Sequence, residues 1–326
     1  MENDIDNFDF ELEKRKHKVF LLESINFYIG INDFIELLDR LSEQNFSQPK
    51  FINNKRRILC PSFGMDSSIY SLKGIVQLCE IGDVVDAFAL ARKIRDNLYL
   101  DLFFISESLN NKPTNYDFSK SFADMNQEEM LEEAMKYASA VLEVEEKNEN
   151  IQNINHWLDD EYSTKDMQNS RRKYFSFDSY KRNIENKNPK LKECHDKYLH
   201  ALFAKIDNNL NNYVHSNGPS FISNEMLNMN NDKFTKTVKD LLQLLYIVKR
   251  VFLIDLYFID STLFQTDDYM NAVEMGEKPV DGSQYYAIYQ IVDEFQKIDN
   301  ENHELYIYLK DNNNCSMKCF YDALND

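Results

Sequence analysis

Residues 68–98 read SIYSLKGIVQLCEIGDVVDAFALARKIRDNL. Apolar residues recur every three or four positions on both sides of Gly82-Asp83, the spacing that puts one buried face on each of two helices. Gly82 suits the left-handed conformation that stops a helix, and Asp83 is a good N-cap for the next one. The segment therefore predicts a helix over Met65 to Ile81, capped by Asp66 or Ser67. A longer helix follows, ending near Asn110, with Val84, Ala87, Leu90, Ala91, Ile94, Leu98 and Leu102 inward. So short a connection makes the two helices antiparallel neighbours.

The same period extends outward. From Glu13 to Glu43 it predicts one helix or two, bent near Gly30; Arg57 to Cys60 reads as a strand fragment limited by Pro61. Gln127 to Lys147 is an acidic helix with Met130, Leu131, Ala134, Tyr137, Ala138, Val141 and Leu142 on its apolar side. Pro189 opens another helix at the first-turn position where proline is favoured, and Asn217-Gly218-Pro219 closes it. Lys233 to Phe264 is a long apolar helix, and Ser283 to Ile298 a later one. The fold class is all-α, a multi-helix bundle of long antiparallel helices. Residues 1–147 form an N-terminal helical region and 188–326 a C-terminal one, packed as one composite domain. Residues 148–187, polar and irregular, read as an insertion or linker with short helices near Trp157 and near Tyr174 to Tyr180.

Composition agrees. Only 7 Gly and 6 Pro in 326 residues leave few element breakers, and 43% hydrophobic residues can supply a real core. The net charge of −18 repels nucleic acid and anionic membranes at long range, so an RNA substrate would need a local basic patch. Cysteines occur at Cys60, Cys79, Cys194, Cys315 and Cys319 without a CxxC pair, which suits a reducing compartment and buried thiols better than disulfides. The N-terminal MENDIDNFDFELEKRKHK has no apolar core, so no leader is read there. The most apolar window, Leu241 to Phe264, is interrupted by Lys249, Arg250, Asp255 and Asp260 and reads as core rather than a membrane span. A cytoplasmic location is expected, with no membrane partner, no cofactor and no metal.

Gly-rich phosphate loops, the G-x-S-x-G elbow, the H-E-x-x-H pair and the dinucleotide fingerprint are all missing from the sequence. The chemistry-bearing candidates are Arg92, Lys93, Arg95, Asp96 and Asn97 on one helix, taken with His215 beside Asn211 and Asn212. Arg92 and Arg95 lie three apart on neighbouring positions of a helix face, and guanidinium forks suit phosphate. A histidine at a helix end is placed to titrate and to act as acid or base. The alternatives are structural: the arginines held by Asp96, Asp101, Asp255 or Asp260, and His215 stabilised by its helix dipole. His195 and His200, five apart, fall on different helix faces and carry less. His156 with Asp159, Asp160 and Glu161, and the cluster Tyr285, Tyr286 and Tyr289, read as a solvated acidic face and a helical core or rim.

The hairpin at 68–98, the phrase LNNYVHSNG at 210–218 and the segment from Thr266 through MNAVEMGEKPVDGSQYYAIYQIVDEF resemble bacterial helical proteins grouped near the HEPN superfamily and the abortive-infection proteins. The likeness covers roughly half of the chain. It implies an antiviral-defence or toxin-type protein and metal-independent RNA cleavage at a site often shared across a dimer. In that chemistry His215 activates the 2′-OH or protonates the leaving oxygen, and Arg92 or Arg95 stabilises the phosphate. Lys93, Asn97, Asn211 and Asn212 would bind the substrate. The family places an Arg, with a polar residue next to it, ahead of its His with four to six residues between them; here those positions hold Asn208, Asn209 and Leu210. The second expectation is a non-catalytic helical module, a subunit of a defence complex, that meets a protein partner or a second copy of itself.

Overall fold

The computed structural model describes residues 21, 25–46, 51–52, 58–59, 62–110, 126–145, 147–158, 174–214, 231–266 and 288–312. Within these the fold is all-α. The helices are α1 (Ile25–Phe46), α2 (Phe63–Ile81), α3 (Val84–Asn110), α4 (Gln127–Glu145), α5 (Glu149–Leu158) and α6 (Phe177–Lys187). Then come α7 (Pro189–Cys194), a π turn (His195–Leu199), α8 (His200–Val214), α9 (Asn231–Asp260) with a 3-10 turn (Ser261–Phe264), α10 (Tyr289–Glu301) and α11 (His303–Asp311). Between α1 and α2, β1 (Phe51–Ile52) pairs antiparallel with β2 (Ile58–Leu59), which places a short strand where the sequence suggested one.

The α2–α3 hairpin forms as its sequence dictates. Gly82 takes a left-handed conformation (φ 90°) and donates to the Cys79 carbonyl, while the Asp83 N–H reaches the Leu78 carbonyl at 2.9 Å. These bonds close the last turn of α2. Asp83 then accepts from the Asp86 N–H at 3.1 Å and starts α3. The start of α2 differs from expectation. The helix begins at Phe63, and neither Asp66 nor Ser67 caps it. Instead Asp101, wholly buried on α3, accepts from the Gly64 and Met65 N–H groups at 2.9 and 2.6 Å. A side chain 37 residues away thus does the work of the N-cap. It needs Gly64, because a Cβ there would sit 2.1 Å from the Asn97 carbonyl oxygen.

α3 is the central strut, with α2, α6, α8 and α9 packed around it and α1 lying against α2 and α9. Its buried side chains, from Val84 to Glu107, face in nearly every direction, as a helix enclosed by neighbours requires. Phe88, Phe103 and Phe104 from α3 join Phe27, Phe252, Phe264 and Phe295, all with essentially no exposure, to form one aromatic-rich core. Burial of each is worth roughly 2–3 kcal/mol of transfer free energy.

Other expectations fare variously. α1 runs through Gly30 without interruption. The window Leu241 to Phe264 is buried helix core ending in the 3-10 turn, and no helix among the described residues is long and apolar enough to cross a membrane. The 148–187 stretch is more than a linker. Ile151, Ile154, Tyr180 and Ile184 on α5 and α6 enter the core, and Trp157 stacks on Phe175 with ring centroids 5.5 Å apart. Cys79 and Cys194 are buried thiols, both pushed up by burial. Met270 and its neighbours, Tyr285, Tyr286, Cys60, Cys315 and Cys319 lie outside the described residues.

Candidate functional site

The predicted arginines lie on α3 and do different things. Arg95 is 7% exposed. Its Nε and Nη2 donate to Asp96 at 2.9 and 2.8 Å, its Nη1 donates to Asp207 of α8 at 3.0 Å, and its guanidinium lies over the Phe177 ring, 4.1 Å from the centroid. Arg92 sits half-buried on the same helix with its Nε 4.0 Å from Asp96. Lys93 is exposed. Asn97 is partly buried, its side-chain nitrogen enclosed without a hydrogen-bond partner. Asn211 and Asn212 belong to the last turn of α8, and His215 lies outside the described residues. The structure joins α3 to α8 through Arg95 and Asp207, and the expected meeting of the arginines with His215 falls outside the described residues. Of the carboxylates suggested as structural holders, Asp96 serves, while Asp101 caps α2 and Asp255 serves another group.

That other group is His195, which spacing ranked low. It stands at the start of the π turn with 2% exposure. Both ring nitrogens face carboxylates: Nδ1 lies 2.7 Å from Glu185 Oε1 of α6 and Nε2 lies 2.7 Å from Asp255 Oδ1 of α9. Burial disfavours a charged imidazole, but the two acids outweigh it and push His195 up to about 9, so both nitrogens donate at neutral pH. Glu185 also meets the Lys181 ammonium; although burial works against the charge, His195 and Lys181 hold this carboxyl down at about 2. On the far side of Asp255, Tyr99 donates to Oδ2 at 2.6 Å, and burial beside that acid raises its phenol well above the usual range.

Aromatic rings seal the network. Phe203 meets the His195 ring edge to face at 4.9 Å and lies under the Lys181 ammonium at 4.7 Å; Phe177 packs on Tyr99 at 4.6 Å and on Arg95. Tyr99 is one turn after Arg95, so one face of α3 carries both the guanidinium and the phenol. The result links α3, α6, the π turn, α8 and α9 through charge pairs whose hydrogen bonds are made within the protein. Such a closed arrangement fixes helix register; its imidazole has no open nitrogen with which to take a substrate proton. Sequence spacing missed it because the partners of His195 stand 10 and 60 residues away. The one available signal was Asp255 inside an apolar helix, since such a group is buried only when paired.

A second polar cluster lies at the α9–α10 contact. Arg250 donates to Glu294 at 2.7 Å and Glu301 at 2.5 Å, and Lys249 donates to Asp33 of α1 at 3.0 Å. Among the described residues no group of histidine, cysteine and acids could hold a metal ion. His156 lies on α5, whereas Asp159, Asp160 and Glu161 are outside the described residues.

The acidic helix α4 forms, but its orientation is unexpected. Met130, Leu131 and Met135 are 36%, 62% and 56% exposed, while Glu133 is buried. Met130, Leu131 and Tyr137 of the apolar side that sequence reading turned towards the core face solvent, and Met135, which that reading did not include, faces solvent as well. Glu128, Glu129, Glu132 and Glu143 stand on the same helix, with Lys136 its one cation. No protein-family model matches the chain, and no curated protein or solved structure matches it either.

Proposed function

We propose that the protein is a non-catalytic helical binding module that docks a basic, amphipathic helical segment of another protein on α4. The carrying observation is the solvent-facing stripe of Met130, Leu131 and Met135 on a glutamate-rich helix. An apolar stripe selects an apolar face, and flanking glutamates within a chain of net charge −18 select cations around it. A second copy would bring glutamates against glutamates, so like-charge repulsion disfavours self-pairing through this face. With the resemblance to HEPN-like and abortive-infection proteins, the role is that of a subunit in a bacterial defence assembly. The ribonuclease reading asks for a guanidinium that meets a phosphate. Arg95 gives its donors to Asp96 and Asp207, which favours binding over cleavage.

The test uses a fluorescein-labelled leucine/lysine peptide with one apolar helical face, titrated into the full chain and into the Leu131→Ser, Met135→Ser double variant. The variant keeps every charge. Losing about 1 kcal/mol of further burial at each residue predicts binding weaker by about 30-fold. Equal affinity for both proteins, or for a scrambled peptide of the same composition, refutes the reading. So does sedimentation showing a wild-type dimer that the double variant abolishes.

A further inference from the structure

Five sulfur-bearing side chains fall among the described residues: Met65, Cys79, Met130, Met135 and Cys194. Three of them are sealed in the core. Met65, Cys79 and Cys194 have no exposure, and burial pushes both thiols up, away from the reactive thiolate. The other two, Met130 and Met135, are open to solvent, and both belong to the apolar stripe of α4. Methionine is usually an inside residue, so two exposed on one helix stand out. Leucine would cover the same area with a similar helix propensity. A thioether adds two things that leucine lacks: a pliant shape that fits varied partners, and a sulfur lone pair that can take up oxygen.

We infer that Met130 and Met135 form a site of reversible oxidation by hydrogen peroxide, and that their oxidation releases the partner held on α4. The release rests on the docking proposed above; the oxidation does not. A sulfur lone pair attacks one peroxide oxygen and the O–O bond breaks. The hydroxide that leaves takes up the proton remaining on the transferred oxygen and departs as water. Sulfur is oxidised by two electrons and peroxide is reduced by two. Charge selects an uncharged oxidant. Glu128, Glu129 and Glu132 stand on the same helix within a chain of net charge −18, a field that repels anionic oxidants and leaves neutral peroxide unaffected. The product sulfoxide is a polar acceptor within a stripe that docking covers with hydrocarbon. Burying it without a donor costs free energy, so two of the three docking side chains turn from favourable to unfavourable together. The reverse step uses a dithiol: sulfoxide and two thiols give thioether, disulfide and water.

The test treats the full chain with hydrogen peroxide, removes the excess with catalase and divides the sample. Peptide mapping by mass spectrometry should find Met130 and Met135 gaining one oxygen each at least about 10-fold faster than Met65. The fluorescein-labelled leucine/lysine peptide should bind the oxidised chain at least about 10-fold more weakly than the untreated one, and methionine sulfoxide reductases with dithiothreitol should restore binding. In the Met130→Leu, Met135→Leu variant, treated and untreated protein should differ by less than about twofold. Recovery with the reductases needs no variant, so it decides the question if that protein does not fold. The inference is overturned, with the docking reading intact, by any of four results. These are oxidation of Met65 as fast as of the α4 pair, treated wild type that binds like untreated, a loss that the reductases do not reverse, or a loss in the leucine variant equal to that in wild type. Untreated wild type that binds no peptide ends the docking reading and the release with it.

Discussion

The buried imidazole makes a measurable claim about pH. His195 is displaced from 6.5 to about 9 because Asp255 and Glu185 face its two nitrogens. The folded protein therefore keeps this proton to a higher pH than the unfolded chain does. Its contribution is complete below about pH 6.5 and disappears as pH rises through about 9, and the displacement corresponds to about 3 kcal/mol. The lowered Glu185 reports the same contact from its other side and is not added again. Urea unfolding followed by circular dichroism, from about pH 6 to about pH 10, gives stability at each pH by linear extrapolation. The His195→Gln variant keeps an N–H for Asp255 but has no proton to lose, so subtracting its curve removes lysines, tyrosines and thiols that titrate in both proteins. The difference should be largest at pH 6 and should shrink by about 3 kcal/mol by pH 10. A difference that stays constant across this range refutes the charged-imidazole argument, whatever the size of the mutational effect.

Three other perturbations probe the frame. Gly64→Ala should cost at least about 3 kcal/mol in urea unfolding, because its Cβ would meet the Asn97 carbonyl and the Asp101 carboxyl; Gly30→Ala should instead stabilise by about 0.5–1 kcal/mol. Asp101→Ala strips both acceptors from the buried Gly64 and Met65 N–H groups and should destabilise by about 2–4 kcal/mol, with faster amide exchange at the first turn of α2. Lys187→Met leaves the wholly buried Glu107 with only the Asn150 amide on one oxygen, at an expected loss of about 3–5 kcal/mol by the same unfolding assay.

What was legible in the sequence was local. Gly82-Asp83 marks both a stop and a start because each residue acts on its own backbone, and the inward face of α3 follows from a period that any helix must obey. Pro189 sits at the first turn of α7 for the same reason. What escaped was carried by partners far along the chain. Asp101 replaces an N-cap from the next helix, and His195 is held from α9 by Asp255, so no window of a dozen residues contains either interaction. α4 shows a different limit. Periodicity put Met130, Leu131 and Tyr137 on one apolar side without Met135, and an apolar side alone does not say whether it faces the core; here these side chains face solvent. For the arginines, spacing found the helix face and Asp96 but gave no sign of Asp207, which stands 112 residues from Arg95.

The π turn at His195–Leu199 carries a last consequence. A π turn winds by roughly 80–85° per residue rather than the 100° of an α-helix, so five such residues delay everything beyond them by close to a quarter rotation. That delay is what lets one rod aim His195 at Asp255 and, three turns on, Asp207 at Arg95. The segment behaves as a vernier holding one surplus residue. Excising exposed Asp196 or Lys197 should let the rod relax to uniform winding with both anchors still in phase, whereas removing a residue from the α-helical part of α8 before Asp207 would swing that carboxylate away from its guanidinium.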